Sequence, residues 1–205
     1  MPVERRGLSN IEERFSLGLF CLLPVAYCLL WSVVCRPFRI FREIDLMGIV
    51  QQLEIKAGLK ILKPIEEVFE AIVDPGKMSG YFIASSTGRM ETGKDLTWKF
   101  PEFDLKFPIK IKKVDSPDYI SFYWDDIDGK EMLVEISLKE MEEQSTFVSV
   151  TEKGRDNDEK GIEWLKRNTE GWANFLACLK AYLEYGINLR KGAFDVSQMP
   201  EFQGQ

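Results

Sequence analysis

From residue 53 onward, apolar and polar positions alternate in short runs separated by turn residues. Leu53, Ile55, Ala57, Leu59 and Ile61 alternate with Glu54, Lys56, Gly58 and Lys60, the period-two pattern of a strand with one buried face. Pro64 opens a helix at a position that needs no amide donor. Glu66 and Glu67 lie in its first turn, Ile65, Val68, Phe69 and Ile72 share one side, and Asp74-Pro75-Gly76 stops it. Tyr81 to Met90 reads as a strand, and Glu91-Thr92-Gly93-Lys94 turns the chain into the row Leu96, Trp98 and Phe100. Further inward rows follow: Leu105, Phe107, Ile109 and Ile111; then Ile120, Phe122 and Trp124; then Met132, Val134, Ile136 and Leu138. Thr146 to Thr151 closes the meander. Gly154 to Gly161 reads as a polar loop, and Ile162, Trp164 and Leu165 as a short helical approach.

The last element is the longest. Wound at about 100° per residue, Asn168 to Ile187 gathers Trp172, Phe175, Leu176, Leu179 and Leu183 into one apolar stripe, with Glu170, Asn174, Ala181 and Glu184 opposite. Gly186 can adopt the left-handed conformation that ends such a helix, and Arg190 and Lys191 follow where the helix dipole favours cations. Strands with one apolar face need a cover, and this helix is the only element large enough. The pattern therefore predicts an α+β domain, a curved antiparallel sheet of about six to seven strands wrapped on a long C-terminal helix.

The first 46 residues do not fit that pattern. Phe15 to Cys35 is uncharged and long enough to cross a bilayer as one transmembrane helix at about 1.5 Å per residue. Flanking arginines balance on the two sides and give it no orientation. Residues 1–46 hold six Arg and no Lys, whereas residues 47–205 hold four Arg and seventeen Lys. In a bacterial message, Arg42-Glu43 encoded as AGG-GAA would form a ribosome-binding sequence before Met47. Two readings follow: an artefactual upstream extension, or a single-span anchor. The division expected is 1–46 as extension, 47–192 as the domain and 193–205 as a tail. The domain is expected to be cytoplasmic, membrane-anchored if residues 15–35 are translated.

Composition then removes whole classes of chemistry. Histidine is absent, which excludes Ser-His-Asp and Cys-His catalysis and every histidine-ligated metal site. With 27 Lys and Arg against 33 Asp and Glu, the net charge of −6 disfavours nucleic acid as a partner. Cys21, Cys28, Cys35 and Cys178 form no CxxC pair and no disulfide framework, which suits a reducing compartment. Neither a metal nor a cofactor is expected. Asp125, Asp126 and Asp128 before Gly129 are explained by turn chemistry, since the strand resumes too soon for a calcium loop. Lys106, Lys110, Lys112 and Lys113 read as a solvated strand face.

Four stretches carry a family resemblance. They are Pro64 to Pro75 (Pro-Ile-Glu-Glu-Val-Phe-Glu-Ala-Ile-Val-Asp-Pro), Gly88 to Trp98, Thr146 to Glu152 (Thr-Phe-Val-Ser-Val-Thr-Glu), and Gly171-Trp172 with Phe175-Leu176 and Leu179-Lys180. Together they resemble the START-like, or SRPBCC, superfamily, in the branch similar to the C-terminal domain of the activator of heat-shock-protein-90 ATPase. The resemblance spans roughly Gln51 to Gly192. It implies a helix-grip fold with a hydrophobic cavity between sheet and helix, used by various members to bind apolar ligands, cyclise polyketides or contact a chaperone. The eukaryotic co-chaperone also carries a separate N-terminal domain that engages the chaperone, a pattern from which residues 1–46 depart.

The candidate ligand-binding residues are Trp98, Phe107, Phe122 and Trp124 from the sheet, Trp172 and Phe175 from the helix, and Arg89 and Glu91, which share a side of the expected strand with Thr87. The aromatics can line a pocket or simply fill the core. Arg89 and Glu91 can be polar groups inside a cavity or ordinary surface residues. No catalytic set is discerned. The expected function is a noncatalytic START-like module that binds an apolar small molecule or a protein partner. The alternatives are a co-chaperone contacting a heat-shock-protein-90 homologue and an enzyme of the polyketide cyclase type.

Overall fold

The computed structural model describes residues 52–102 and 104–194. The elements run β1 (Gln52–Ile61), α1 (Ile65–Val73), α2 (Pro75–Met78), β2 (Ser85–Ser86), β3 (Asp95–Lys99), β4 (Lys106–Asp115), β5 (Tyr119–Asp125), β6 (Glu131–Met141), β7 (Ser145–Asp156) and α3 (Glu159–Tyr185). All strands among the described residues join one seven-stranded antiparallel sheet in the order β1-β7-β6-β5-β4-β3-β2. Neighbours in sequence are neighbours in the sheet from β2 through β7, because short turns join them. The single exception is β1, which the α1–α2 excursion separates from β2 so that the two strands sit at opposite edges. The α+β helix-grip architecture expected from the pattern is the one present.

The inward rows align across the strands. Ile136 lies between Val150 on β7 and Ile120 on β5, and Val134 between Glu152 and Phe122. Against this face pack Trp172, Phe175, Leu176 and Leu179 of α3, each at most 3% exposed. Burying side chains of this kind stabilises by about 1.5–3 kcal/mol apiece. Tyr81, Phe82 and Phe175 form an aromatic junction where α3 crosses the chain following α2, with Phe82 and Phe175 edge-to-face at 4.7 Å. The Tyr81 hydroxyl, fully buried, donates to the Ala71 carbonyl at 3.1 Å.

Four elements differ from the pattern reading. The strand expected over Tyr81–Met90 shrinks to Ser85–Ser86, because Ser79 to Phe82 form turns in a stretch that still buries Tyr81, Phe82 and Ile83. Asp74 does stop α1, and its carboxylate then caps the single turn of α2 by accepting from the Lys77 amide at 2.9 Å. β7 runs on to Asp156, and the expected short approach merges with the long helix, so that α3 is one helix of 27 residues. Ala181 is buried on α3 and the Glu184 side chain is covered, not solvated: it is 5% exposed and accepts the Leu62 amide of the β1–α1 link at 2.6 Å.

The ends of α3 are specified by their caps. Asp158 accepts from the Gly161 amide at 2.7 Å at the start. Gly186 takes φ 67° at the finish, where Gly186 and Ile187 donate back to Tyr182 and Ala181. Phe15 to Cys35 lies outside the described residues. Among the described residues no helix is long and apolar enough to cross a membrane.

Asp158→Ala should lower the unfolding free energy by about 1 kcal/mol, the usual worth of such a cap. Gly161→Ala should cost more, because the added Cβ would fall 2.0 Å from the Asp156 carbonyl oxygen. Urea denaturation of the two variants beside the parent checks both the sign and the order.

Candidate functional site

The cover that α3 provides is incomplete beside the first half of the helix. There a cleft of about 570 Å³ opens between α3, the start of β4, the end of β5 and the segment after α3. Its walls are aromatic: Phe82 and Phe100 on one side, Phe107 and Trp124 from the sheet, Trp172 from the helix and Phe194 from the chain beyond it. Strand alternation brings Phe107 and Trp124 to the inward face. Trp172 arrives beside Trp124 because it lies on the stripe of α3 that packs against the sheet, and the two indoles sit 5.5 Å apart. Phe100 and Phe107 meet edge-to-face at 5.1 Å, a preferred geometry for aromatic pairs.

Ion pairs flank this aromatic floor. Arg190 donates to Glu102 at 2.8 Å, and its guanidinium lies over the rings of Phe82, Phe100 and Phe194 at 5.3, 5.3 and 4.8 Å. Elsewhere on the rim, Asp126 accepts from Arg167 with one carboxylate oxygen and from Arg155 with the other. Arg155 also holds Asp128, whose carboxyl is pulled down to about 2 by that guanidinium. The turn after Asp125 thus has two acids, Asp126 and Asp128, tied to β7 and α3 by arginines 27 to 41 residues away.

Behind the floor lies a carboxylate that the alternation reading did not single out. Glu152 on β7 is fully buried, in register between Ile55 and Val134. Its Oε1 accepts from Trp124 Nε1 at 2.9 Å and its Oε2 from Trp172 Nε1 at 2.7 Å. Asn168 Nδ2 bridges both oxygens at 3.2 and 3.1 Å. Burial raises the Glu152 pKa, and the donors of Trp172, Trp124 and Asn168 pull it back in that order. Trp164, also buried, leaves its Nε1 without a hydrogen bond. Without Glu152, two indole N–H groups and an amide would lack an acceptor, each orphaned donor costing about 1–3 kcal/mol.

The eight candidate residues separate into three places. Phe107, Trp124 and Trp172 line the cleft. Trp98, Phe122 and Phe175 are at most 2% exposed and belong to the core beneath it, Trp98 and Phe122 packed at 5.4 Å. Arg89 and Glu91 lie elsewhere, because residues 87–94 are loop and do not share a strand face. Arg89 forms a two-pronged pair with Glu70 of α1 at 2.9 and 2.6 Å, and Glu91 pairs with Lys94 on the surface. Glu152 was signalled by parity, since it continues the inward row Val148, Val150. Asn168 and Trp172 were signalled by their four-residue spacing on one helix face. Nothing local announces the pairing of Asp126 with Arg167 or of Glu102 with Arg190.

An antiparallel sheet closed on a long C-terminal helix, with an aromatic cleft between them, defines a START-like helix-grip protein. The sequence model of the family described as "Activator of Hsp90 ATPase homolog 1-like protein" matches residues 63–184, and the chain belongs to that family. Protein SSP2350 from Staphylococcus saprophyticus is 36% identical with a TM-score of 0.59, over 67% of this chain and 96% of that one. DynU16, described as a protein in the dynemicin biosynthetic locus, is 25% identical with a TM-score of 0.59, over 65% of this chain and 48% of its own. The chain therefore spans about half the length of DynU16. The Aha1 dimer from Colwellia psychrerythraea shares the fold at 18% identity and a TM-score of 0.55, over 65% of this chain and 98% of that one. Among curated proteins no relative matches.

The depressed Asp128 carboxyl gives a stability term with a definite sign. Its folded pKa of about 2 lies below its ordinary 3.8, so the contribution is fully present above pH 3.8 and is lost as pH falls toward 2. Asp128→Asn should therefore be less stable than the parent at pH 7. The gap in urea midpoint between the two should narrow steadily below pH 4; a constant gap from pH 7 to 2.5 contradicts the assignment.

Proposed function

We propose that this protein is a noncatalytic binding module, formed by residues 47–192 with Phe194 of the following segment, that takes an apolar aromatic small molecule into the cleft between sheet and α3. The observation that carries the reading is the floor itself: aromatic side chains from β4, β5, α3 and the flanking segments converge on one concavity of about 570 Å³. That volume lies within the roughly 300–1,000 Å³ of small-molecule sites, and the lining matches their apolar majority with a few polar groups at the margin. DynU16's setting in a biosynthetic locus adds support for a small molecule as the occupant.

The ionisable groups favour binding over catalysis. General acid–base chemistry needs a group within hydrogen-bond reach of the substrate. Here Glu102 is engaged by Arg190, Asp126 by two arginines, and Glu152 lies behind the indoles, while Lys106, Asp125 and Glu170 line the cleft only at its solvent-exposed margin. Binding therefore rests on ring surface, with the ion pairs bounding the occupant.

A panel of two- and three-ring aromatic compounds tested by thermal shift and by quenching of tryptophan fluorescence checks the reading. Compounds that raise the melting temperature should bind Phe107→Ala about tenfold more weakly, since a single aromatic contact is worth roughly 0.5–1.5 kcal/mol beyond its area. Arg89→Ala, remote from the cleft, should leave affinity unchanged. Equal weakening in the two variants, or no stabilisation by any compound, overturns the proposal.

A further inference from the structure

We propose that Glu152 is a selectivity-determining residue of the cleft: it holds the indole N–H groups of Trp124 and Trp172 inside the wall, so the floor offers ring surface and no hydrogen-bond donor. The inference rests on the reading of the cleft as a ligand site. Both indoles line the cleft, whereas Glu152 is fully buried and accepts from both, at 2.9 and 2.7 Å. Tryptophan ordinarily brings a polar handle to a binding surface. In this cleft both handles are turned inward and satisfied.

The position of Glu152 makes a merely incidental role hard to sustain. Its cross-strand neighbours are Ile55 and Val134, and the inward row of β7 otherwise carries Val148 and Val150. The alternation calls for another aliphatic residue, and the chain places a carboxylate there. That carboxylate receives donors from β5 and from two positions one turn apart on α3, Asn168 and Trp172. It is a positioning residue: it touches no occupant, and it fixes which edge of each indole an occupant meets.

The consequence is discrimination by what is withheld. A molecule that lays a carbonyl oxygen or ring nitrogen on the floor gives up its hydrogen bond to water and gains none, while an aromatic hydrocarbon of the same shape gives up nothing. Donors remain at the margin, on Lys106, Arg167, Asn174 and Arg190. The favoured occupant thus has an unsubstituted aromatic middle.

Naphthalene and quinoline, equal in shape and differing by one ring nitrogen, test this on the full chain. The parent should prefer naphthalene. Glu152→Leu, which frees both indoles, should cut that preference roughly tenfold, and Glu152→Gln, which keeps one acceptor and sets its amide against the second indole, should fall between. Indole proton spectra provide a readout that does not depend on a ligand. In Glu152→Gln the Trp124 or Trp172 resonance should begin to exchange with solvent while that of Trp98 stays put. Binding with an unchanged preference in the variants overturns the selectivity role alone, and so does an unaltered pair of indole resonances in Glu152→Gln, which also decides the matter should Glu152→Leu fail to fold. Failure of the parent to bind either probe overturns the ligand reading, and the selectivity with it.

Discussion

An antiparallel sheet with one apolar face is stable only when that face is covered, and α3 is the cover on which the rest of this structure depends. The seven strands place Ile109, Ile120, Phe122, Val134, Ile136 and Val150 on one side, and the buried stripe of α3 closes over them. Caps at Asp158 and Gly186 set the length of the cover. The link at Leu62 and the turns at Tyr81 and Phe82 clamp its second half, where Glu184, Tyr182 and Phe175 meet them. The first half is held differently, and the cleft lies there.

The first half adds a polar tie to the apolar packing of Trp164 and Trp172. A buried carboxylate is costly unless its lone pairs are filled, and Glu152 meets that condition only because Trp124, Asn168 and Trp172 all reach it. The same bonds that make Glu152 tolerable tie α3 to β5 and orient two of the six aromatic rings of the cleft wall. Structure and site are therefore coupled through one group: the floor cannot be rearranged without reopening the question of what satisfies that carboxylate. The arginine-bridged acids at the Asp125–Gly129 turn brace the neighbouring rim in a similar way, with Arg155 and Arg167 supplied by β7 and α3.

Membership of the Activator of Hsp90 ATPase homolog 1-like family accounts for the framework more than for the chemistry. The matched residues 63–184 include α1, the strands β2 to β7 and nearly all of α3, yet they stop short of Arg190 and Phe194, which close one side of the cleft. A fold of this kind hosts different functions because function lies in the residues of the site and not in the framework that carries them. Here Trp98, Phe122 and Phe175 lie in the core alone and Phe107 and Trp124 line the cleft, while Trp172 belongs to both.

Most of the scaffold was legible in the sequence because its signals are local. Period-two rows marked β1 and β3 to β7, a 3.6-residue stripe marked α3, and Gly186 marked its end. The weak element was Tyr81–Met90, where serine, threonine and glycine diluted the alternation and the chain folded as turns. The aromatic candidates were legible only as inward-facing. Whether each fills the core or faces an opening depends on how far α3 reaches over the sheet, and no local window contains that information. Nor could spacing show that Arg89 would be taken by Glu70, or that Arg155 and Arg167 would converge on Asp126. The sequence by itself determined which side of each strand and helix is buried, since side-chain direction follows from backbone period. Only the tertiary structure decided that Glu152, Trp124, Asn168 and Trp172 meet, because that contact joins three elements whose approach is set by the packing of the whole sheet against the helix.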